Sequence, residues 1–313
     1  MANFKNYYLT YGNKLQGNKY IIQRKISSGG FGAVYLARTI TDRSVAIKEF
    51  LPAGIKCRIT ANSPEINIGL EEDKNNFSLG LESFFQEADT VAKINNSKII
   101  KILDVFKENG TAYFVMPIEQ GESLYSYSVR QSKRISDEEL KRIFIDATIG
   151  LASLHEHNLL HLDLKPGNLW VRPNGDLVIL DLGATRDKNN YLNLKPPART
   201  PGYAAPEQHN RRRGQIAELT VRTDVYGMAA SIYSCIERRP PIEATKRRES
   251  DIPYQLMRAG QVSDGLLRII DDGLMLDPRK RIQSANEFRK RLEELPKLSN
   301  DSFKTFSLNK KIG

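Results

Sequence analysis

Two carboxylates, Asp163 and Asp181, stand within 19 residues of chain together with Lys165 and Asn168. Asp163, Lys165 and Asn168 stand in His161-Leu162-Asp163-Leu164-Lys165-Pro166-Gly167-Asn168, and Asp181 opens Asp181-Leu182-Gly183. Phosphate and divalent-metal chemistry needs this set of groups. Oxygen ligands hold Mg²⁺, a carboxylate takes or orients a hydroxyl proton, and an ammonium neutralises charge on the group in transfer. The polar residues are interleaved with Leu162, Leu164, Leu169, Leu180 and Leu182, which suits a buried frame aiming polar groups into a cleft better than a solvated loop.

Two more constellations lie upstream. Ser27-Ser28-Gly29-Gly30-Phe31-Gly32-Ala33-Val34 sits between two β-like runs, where glycines let backbone N–H groups approach phosphate oxygens. Alone it is a weak signal, since a structural hairpin has the same composition. A dinucleotide-binding loop requires a helix directly after the glycines, and here a strand pattern follows. A P-loop is excluded because the chain has no Gly-Lys pair. Lys48 closes the apolar run Val45-Ala46-Ile47; it is an edge charge unless an anion meets it, and Glu87 on the next helix is the anion at hand. His155, His157 and His161 do not read as a zinc site, because their spacing and the lack of a fourth ligand defeat a tetrahedral set.

The elements that must position these groups follow from pattern. Alternating runs at 20–22, 34–37 and 45–47 form an antiparallel meander, and residues 1–18 read as a loosely held polar leader. Residues 52–76 are irregular and polar. Phe84, Phe85, Ala88, Val91 and Ala92 predict a helix over 81–95, and strand signals return at 99–106 and 111–118. Past Gly121 the period becomes helical. Ser136 with Glu139 is a capping box ahead of the stripe Leu140, Ile143, Phe144, Ala147, Leu151 and Leu154. Residues 225–236 are apolar all round, predicting a buried helix, and a last amphipathic helix is expected at 284–295.

With 313 residues, 40% hydrophobic and 27% charged, the chain can bury a full core. Two cysteines argue for a reducing compartment, and the longest apolar run falls short of the roughly 20 residues that span a bilayer. With no signal-peptide pattern, a cytoplasmic location is expected. The net charge is +10, and residues 209–248 hold nine Lys/Arg against four Asp/Glu. Nucleic acid, an anionic membrane or an acidic protein could all answer such charge.

The ordered motifs resemble those of the protein kinase family, in its bacterial, eukaryotic-like Ser/Thr branch, over about residues 19–295. Thr200-Pro201-Gly202-Tyr203-Ala204-Ala205-Pro206-Glu207, Asp224 and Asp277-Pro278-Arg279-Lys280-Arg281 complete the set. The resemblance implies an α+β, bilobal fold: leader 1–18, N-lobe 19–117 with an antiparallel sheet, one helix and an insert at 52–83, hinge 118–120, a mainly helical C-lobe 121–296 and a polar tail 297–313. It implies transfer of the γ-phosphate of ATP, with Mg²⁺, to Ser/Thr hydroxyls of a protein, with autophosphorylation.

By the same resemblance, Ser27, Gly29, Gly30 and Gly32 cover the phosphates, Val34 and Ala46 lie above the adenine, and Leu169 lies below it. Lys48 holds the α/β-phosphates and pairs with Glu87. Met116 is the gatekeeper, and the backbone of Pro117 and Glu119 meets the adenine edge. Asp163 orients the substrate hydroxyl, Lys165 steadies the γ-phosphate, and Asn168 and Asp181 ligate Mg²⁺. Thr185 is the preferred autophosphorylation site, with Tyr191 also in that segment. Thr200 is a structural hydroxyl near Asp163 and Lys165, and Glu207 with Arg281 forms a buried ion pair. Three features depart from the family pattern: Ser27 replaces a glycine, Leu162 replaces the Arg that pairs with an activation-loop phosphate, and the stretch from Lys48 to Glu87 is long. Without that Arg, basal activity is expected to need no such phosphate.

Three alternatives stand beside an active kinase. A pseudokinase scaffold typically lacks Lys48, Asp163 or Asp181. A small-molecule phosphotransferase lacks the 200–207 segment and its Arg281 partner. A nucleic-acid module would interleave aromatics with the basic residues. Under the kinase reading no nucleic-acid partner is expected. The basic groups Arg211–Arg213, Arg238-Arg239 and Lys246–Arg248 are then either a docking face for an acidic or phosphorylated protein substrate or a solvated face.

Overall fold

β-Branched and aromatic residues at alternate positions build the N-terminal sheet of this computed structural model. The structure describes residues 7–30, 32–55, 57–58, 63–68, 70–131, 134–188, 199–209, 211–212, 215–216, 218–250 and 262–296. Six antiparallel strands, β1 (Lys14–Leu15), β2 (Tyr20–Gly29), β3 (Gly32–Thr39), β4 (Ser44–Phe50), β5 (Asp104–Glu108) and β6 (Thr111–Pro117), take the order β1-β2-β3-β4-β6-β5. The leader is not loose from residue 7 onward: β1 extends the sheet, and Leu9 and Leu15 are buried. The polar composition of residues 1–18 as a whole hid those two anchors.

Register fixes the glycine turn. Gly32 pairs with both Gly29 and Phe50, and a Cβ on Gly32 would stand 2.0 Å from the Glu49 carbonyl oxygen. Glycine is therefore required there for strand crossing, whatever the cleft holds. Helix α1 runs Glu71–Ala92, starting ten positions ahead of the predicted 81 and taking in the end of the 52–83 insert. Its first turns are polar but for Phe77 and Leu79, too few apolar residues to show a period. Phe77 is nonetheless buried, with its ring 5.2 Å from Phe50. The expected strand at 99–106 begins only at Asp104, because Ile99 and Ile100 leave the sheet to bond Ile179 of the other half.

Residues 118–121 carry the chain from β6 to β7 (Glu122–Ser123). Gly121 has φ +119°, and a Cβ there would sit 2.1 Å from the Val171 carbonyl oxygen. The helical half follows: α2 (Leu124–Arg130), α3 (Asp137–Glu156), α4 (Pro206–His209), α5 (Val221–Glu237), α6 (Ala244–Ser250), α7 (Asp264–Gly273) and α8 (Ala285–Glu293). Ser136 and Ser284 cap α3 and α8 through the Glu139 and Glu287 amides, as the capping pattern requires. α5 is buried along almost its whole length, and α3 packs against α8. Short strands line the junction of the halves: β8 (Leu159–Leu160), β9 (Leu169–Val171), β10 (Leu177–Ile179) and β11 (Arg186–Asp187). β10, β9 and β7 form one sheet, and β11 pairs with β8.

Candidate active site

A cleft of ≈ 530 Å³ opens between the sheet and the helical half. Ser27, Gly29, Gly30, Gly32 and Val34 line it from β2, β3 and their turn, and Ala46 and Lys48 from β4. Met116, Pro117 and Glu119 supply the connecting edge; Asp163, Lys165, Asn168 and Asp181 supply the other side, with Thr200 beside them. Residues far apart in sequence thus share one cavity.

The loop carrying Asp163 is held by buried Asp224. Its Oδ1 accepts the Leu162 N–H (2.7 Å), and its Oδ2 accepts the His161 N–H (2.8 Å) and meets His155 Nε2 (2.8 Å). This carboxylate satisfies two loop amides and so fixes a turn in which Leu162 adopts φ +64°, a strained conformation for a leucine. Leu162 is buried with Leu160 and Leu219, and Val221 packs against them, so the position that holds Arg in the family pattern is apolar here. Burial pushes the His161 pKa below the ordinary imidazole value, against the pull of Asp224, Asp163 and Asp181.

Asp163 accepts Lys165 Nζ at Oδ2 (2.6 Å) and the Thr200 hydroxyl at Oδ1 (2.6 Å), while Lys165 Nζ also reaches Thr200 Oγ1 (3.0 Å). Thr200 thus takes the place expected of it. Asn168 spends Nδ2 on the Asp163 carbonyl (2.8 Å) and carboxylate (3.1 Å), leaving Oδ1 as its potential cation ligand. Among the described residues no group of three or more His, Cys, Asp or Glu could hold a metal ion. Asn168 and Asp181 supply two oxygen donors. That set fits a Mg²⁺ arriving with phosphate oxygens and water better than a protein-only cage.

Lys48 Nζ bonds Asp181 Oδ1 at 2.5 Å, and the Gly183 N–H donates to the same oxygen at 2.9 Å. Burial alone would raise the Asp181 carboxyl, but the Lys48 ammonium and the Gly183 amide hold it well below the usual carboxylate range. The Asp181 side chain keeps 45% of its surface, so water in the cleft screens this pair.

The expected Lys48–Glu87 pair is not formed. Glu87 instead meets Arg186 Nη1 at 3.3 Å and the Ser83 hydroxyl. Asp181 is the carboxylate on Lys48, and β11 brings Arg186 to α1, so each charge has a different partner. Burial pushes the Glu87 carboxyl up to about 7, with Arg186 and Ser83 pulling it back. Glu82, on the same helix, faces out and pairs with Lys107 at 2.5 Å.

Leu169 does not line the cleft. It is fully buried, and strand parity puts Leu169 and Val171 in the core and Trp170 in the cavity. Trp170 is a site residue that motif reading missed, although the Leu-Trp-Val alternation carries the signal. Thr185 is wholly buried beside Glu87, in a small space between α1 and Leu182, so its hydroxyl is not presented for phosphorylation in this arrangement. Tyr191 lies outside the described residues. Glu207 and Arg281 do form a buried bidentate pair (2.8 and 3.2 Å); Thr223 donates to Glu207, and Arg281 also bonds the Arg222 and Met275 carbonyls. Of the basic groups, Arg247 is buried against the Leu274 carbonyl (2.9 Å) and is lost as a docking residue. The side chains of Arg211–Arg213 and Arg248 lie outside the described residues.

A family model described as "Protein kinase domain" matches residues 20–291. The chain belongs to the protein kinase family. "Serine/threonine-protein kinase D" of Synechocystis is 25% identical over 291 residues, covering 89% of this chain and 52% of its own length. "Serine/threonine-protein kinase PknD" of Chlamydia caviae is 25% identical over 312 residues, covering 88% of this chain and 31% of its own length. This kinase chain therefore spans about half, or less, of those curated relatives. A solved structure described as "PpkA-294 apo form" superposes with a TM-score of 0.75 at 27% identity, covering 91% of this kinase and 99% of that chain. The bilobal α+β fold is thus that of protein kinases. Among the described residues no helix is long and apolar enough to cross a membrane.

Proposed function

We propose that this chain transfers the γ-phosphate of ATP to Ser or Thr hydroxyls of a protein substrate. The observation that carries the reading is Asp163, whose carboxylate already accepts an aliphatic hydroxyl, that of Thr200, at 2.6 Å beside Lys165. A substrate hydroxyl offered to the same carboxylate is oriented for attack, and Asp163 takes its proton as the new O–P bond forms and the bond from the γ-phosphorus to the bridging oxygen breaks, with ADP as the leaving group. Lys165 and Lys48 neutralise charge on the phosphates from two sides, and the glycine turn covers them with backbone amides. Asn168 and Asp181 are the residues that would hold Mg²⁺, whose charge stabilises the phosphate oxygens when bound.

Leu162 packs into an apolar cluster and offers no cation to an activation-segment phosphate, which supports turnover without that modification. Arg238 and Arg239 support an acidic or phosphorylated substrate, as do the adjoining basic residues in the sequence. Incubation with labelled ATP and Mg²⁺ is expected to label a protein substrate with the wild type and not with Asp181→Ala. Label with both, or with neither, returns the chain to a binding scaffold, a role that the Lys48–Asp181 pairing would suit. Dephosphorylated enzyme without turnover would overturn the independence from phosphate. Unchanged turnover at low salt after Arg211, Arg212 and Arg213 are changed to Glu would point to a solvated basic face.

A further inference from the structure

On β4, Glu49 stands between Lys48, which lines the cleft, and Phe50, whose ring meets Phe77 (5.2 Å) and Phe84 (5.4 Å) of α1. Glu49 points to the other face of the sheet, where it and Arg58 are 0% and 1% exposed. The five N–H donors of Arg58 all find acceptors. Nη2 and Nη1 hold the Glu49 carboxylate (2.6 and 3.3 Å), Nε and Nη2 hold the Pro64 carbonyl (3.1 and 2.7 Å), and Nη1 holds the Tyr7 carbonyl (3.1 Å). A buried ion pair adds little net stability over apolar residues of the same volume, so what this one supplies is a fixed arrangement of three distant segments. Two arms run from it to the glycine turn. The leader held at Tyr7 carries Tyr8, whose ring centre lies 3.7 Å from Lys25 Nζ, and the same Nζ reaches the Ser28 hydroxyl at 3.4 Å. The insert leaves the end of β4, and its Ala53 N–H donates to the Gly30 carbonyl at 2.9 Å. Ser28 and Gly30 line the cleft with Lys48.

We propose that Arg58 is a positioning residue for phosphate binding: by locking Glu49, the leader and the insert together, it sets where Lys48 and the glycine turn stand. The inference rests on the reading that the cleft takes ATP, and it adds a residue that lies across the sheet from the nucleotide. Its effect is selective. The guanidinium and its two arms end on groups that meet phosphates. The connecting segment, read as the adenine edge, is anchored separately, by the Arg172 fork on Glu119 (2.9 and 2.8 Å). Loosening Arg58 therefore weakens the hold on phosphate and spares the hold on the base.

Calorimetric titration of the full chain with ADP plus Mg²⁺, and separately with adenosine, divides phosphate grip from base grip. Arg58→Lys keeps a cation beside Glu49 but loses the fork that serves the Tyr7 and Pro64 carbonyls together. It is expected to weaken ADP about tenfold, with adenosine affinity within about twofold of wild type. The double variant Glu49→Met, Arg58→Met strands no charge and is expected to show the same split. Tyr8→Leu keeps the apolar contact and drops the cation–π contact; an ADP-only loss of about twofold to threefold is expected, restored by Tyr8→Phe. Melting curves keep each titration below the unfolding transition, and should neither Arg58 variant fold, the Tyr8 pair decides. Equal losses for ADP and adenosine, or no loss for either, would overturn the positioning role and leave the nucleotide reading intact. Wild type that binds neither ligand would overturn the nucleotide reading, and the positioning role with it.

Discussion

Lys48 and Glu49 are consecutive on β4, and strand geometry sends them to opposite faces of the sheet. Below, Lys48 meets Asp181 across an open cleft, with one carboxylate side chain 45% exposed. Above, Glu49 is sealed: it accepts Arg58 Nη2 (2.6 Å), the Tyr35 hydroxyl (2.6 Å) and the Tyr113 hydroxyl (3.0 Å). Arg58 in turn reaches the carbonyls of Pro64 (2.7 Å) and Tyr7 (3.1 Å), so the insert and the leader are drawn onto the sheet through one guanidinium. Burial between Glu49 and its neighbours pushes the Tyr35 and Tyr113 hydroxyls far above the ordinary tyrosine pKa, which keeps them neutral donors. The same kinds of charge therefore do two jobs. A saturated, water-free network holds structure, because any broken bond strands a buried charge. A pair left facing a cavity can exchange partners, because water and incoming phosphate can replace what is lost.

The contrast can be broken first from below. Asp181→Ala is expected to lower turnover by about 10³-fold with no more than a small change in thermal stability, read from steady-state rates and a melting curve. From above, the expected pattern reverses. Arg58→Ala leaves Glu49 without its cation and is expected to cost roughly 3–5 kcal/mol in denaturant unfolding. Replacing Glu49 and Arg58 together by Met is expected to cost less than the two single changes added, since no charge is then stranded. Equal stability losses for Asp181→Ala and Arg58→Ala would erase the distinction between the faces.

Glu87 sits between the two regimes, buried but paired with a single arginine in the junction. Its carboxyl pKa is raised from about 4.5 unfolded to about 7 folded, so the folded state holds the extra proton between those values. Its contribution to stability is complete below about 4.5 and is lost as pH rises through about 7. Glu87→Gln is therefore expected to gain stability relative to wild type as pH is raised across that window, followed by chemical denaturation at each pH. A parallel pair of pH profiles would place Glu87 with the solvated charges. The smallest effect is expected at the surface pair Lys93–Asp89, where Lys93→Ala should change unfolding free energy by about 0.5 kcal/mol or less.

Legibility followed the same division. Asp163, Lys165, Asn168 and Asp181 were readable because their spacing along one loop and one strand is itself the geometry: a few residues of backbone fix where those side chains can reach. Glycine, proline and capping residues carried the strand and helix order for the same local reason. Three things were not readable. The partner of Lys48 depends on which of two carboxylates, 94 positions apart at Glu87 and Asp181, the fold brings within reach. The floor of the cleft turned on a one-residue parity at Leu169 and Trp170, which is set by the pairing of β9 with β10. The anchoring of the leader and insert rested on Arg58, a lone charge in a polar stretch that has meaning only under the sheet's tyrosines.

By itself, then, the sequence determined the family, the order of the elements and which polar residues the Asp163 loop carries into the cleft, because each is encoded within a turn or two of chain. Only the tertiary structure decided which charges pair, which face of a strand meets the cleft and which hydroxyls are reachable. Those choices rest on contacts between distant segments, where a rotation of one strand by one residue exchanges core for cavity.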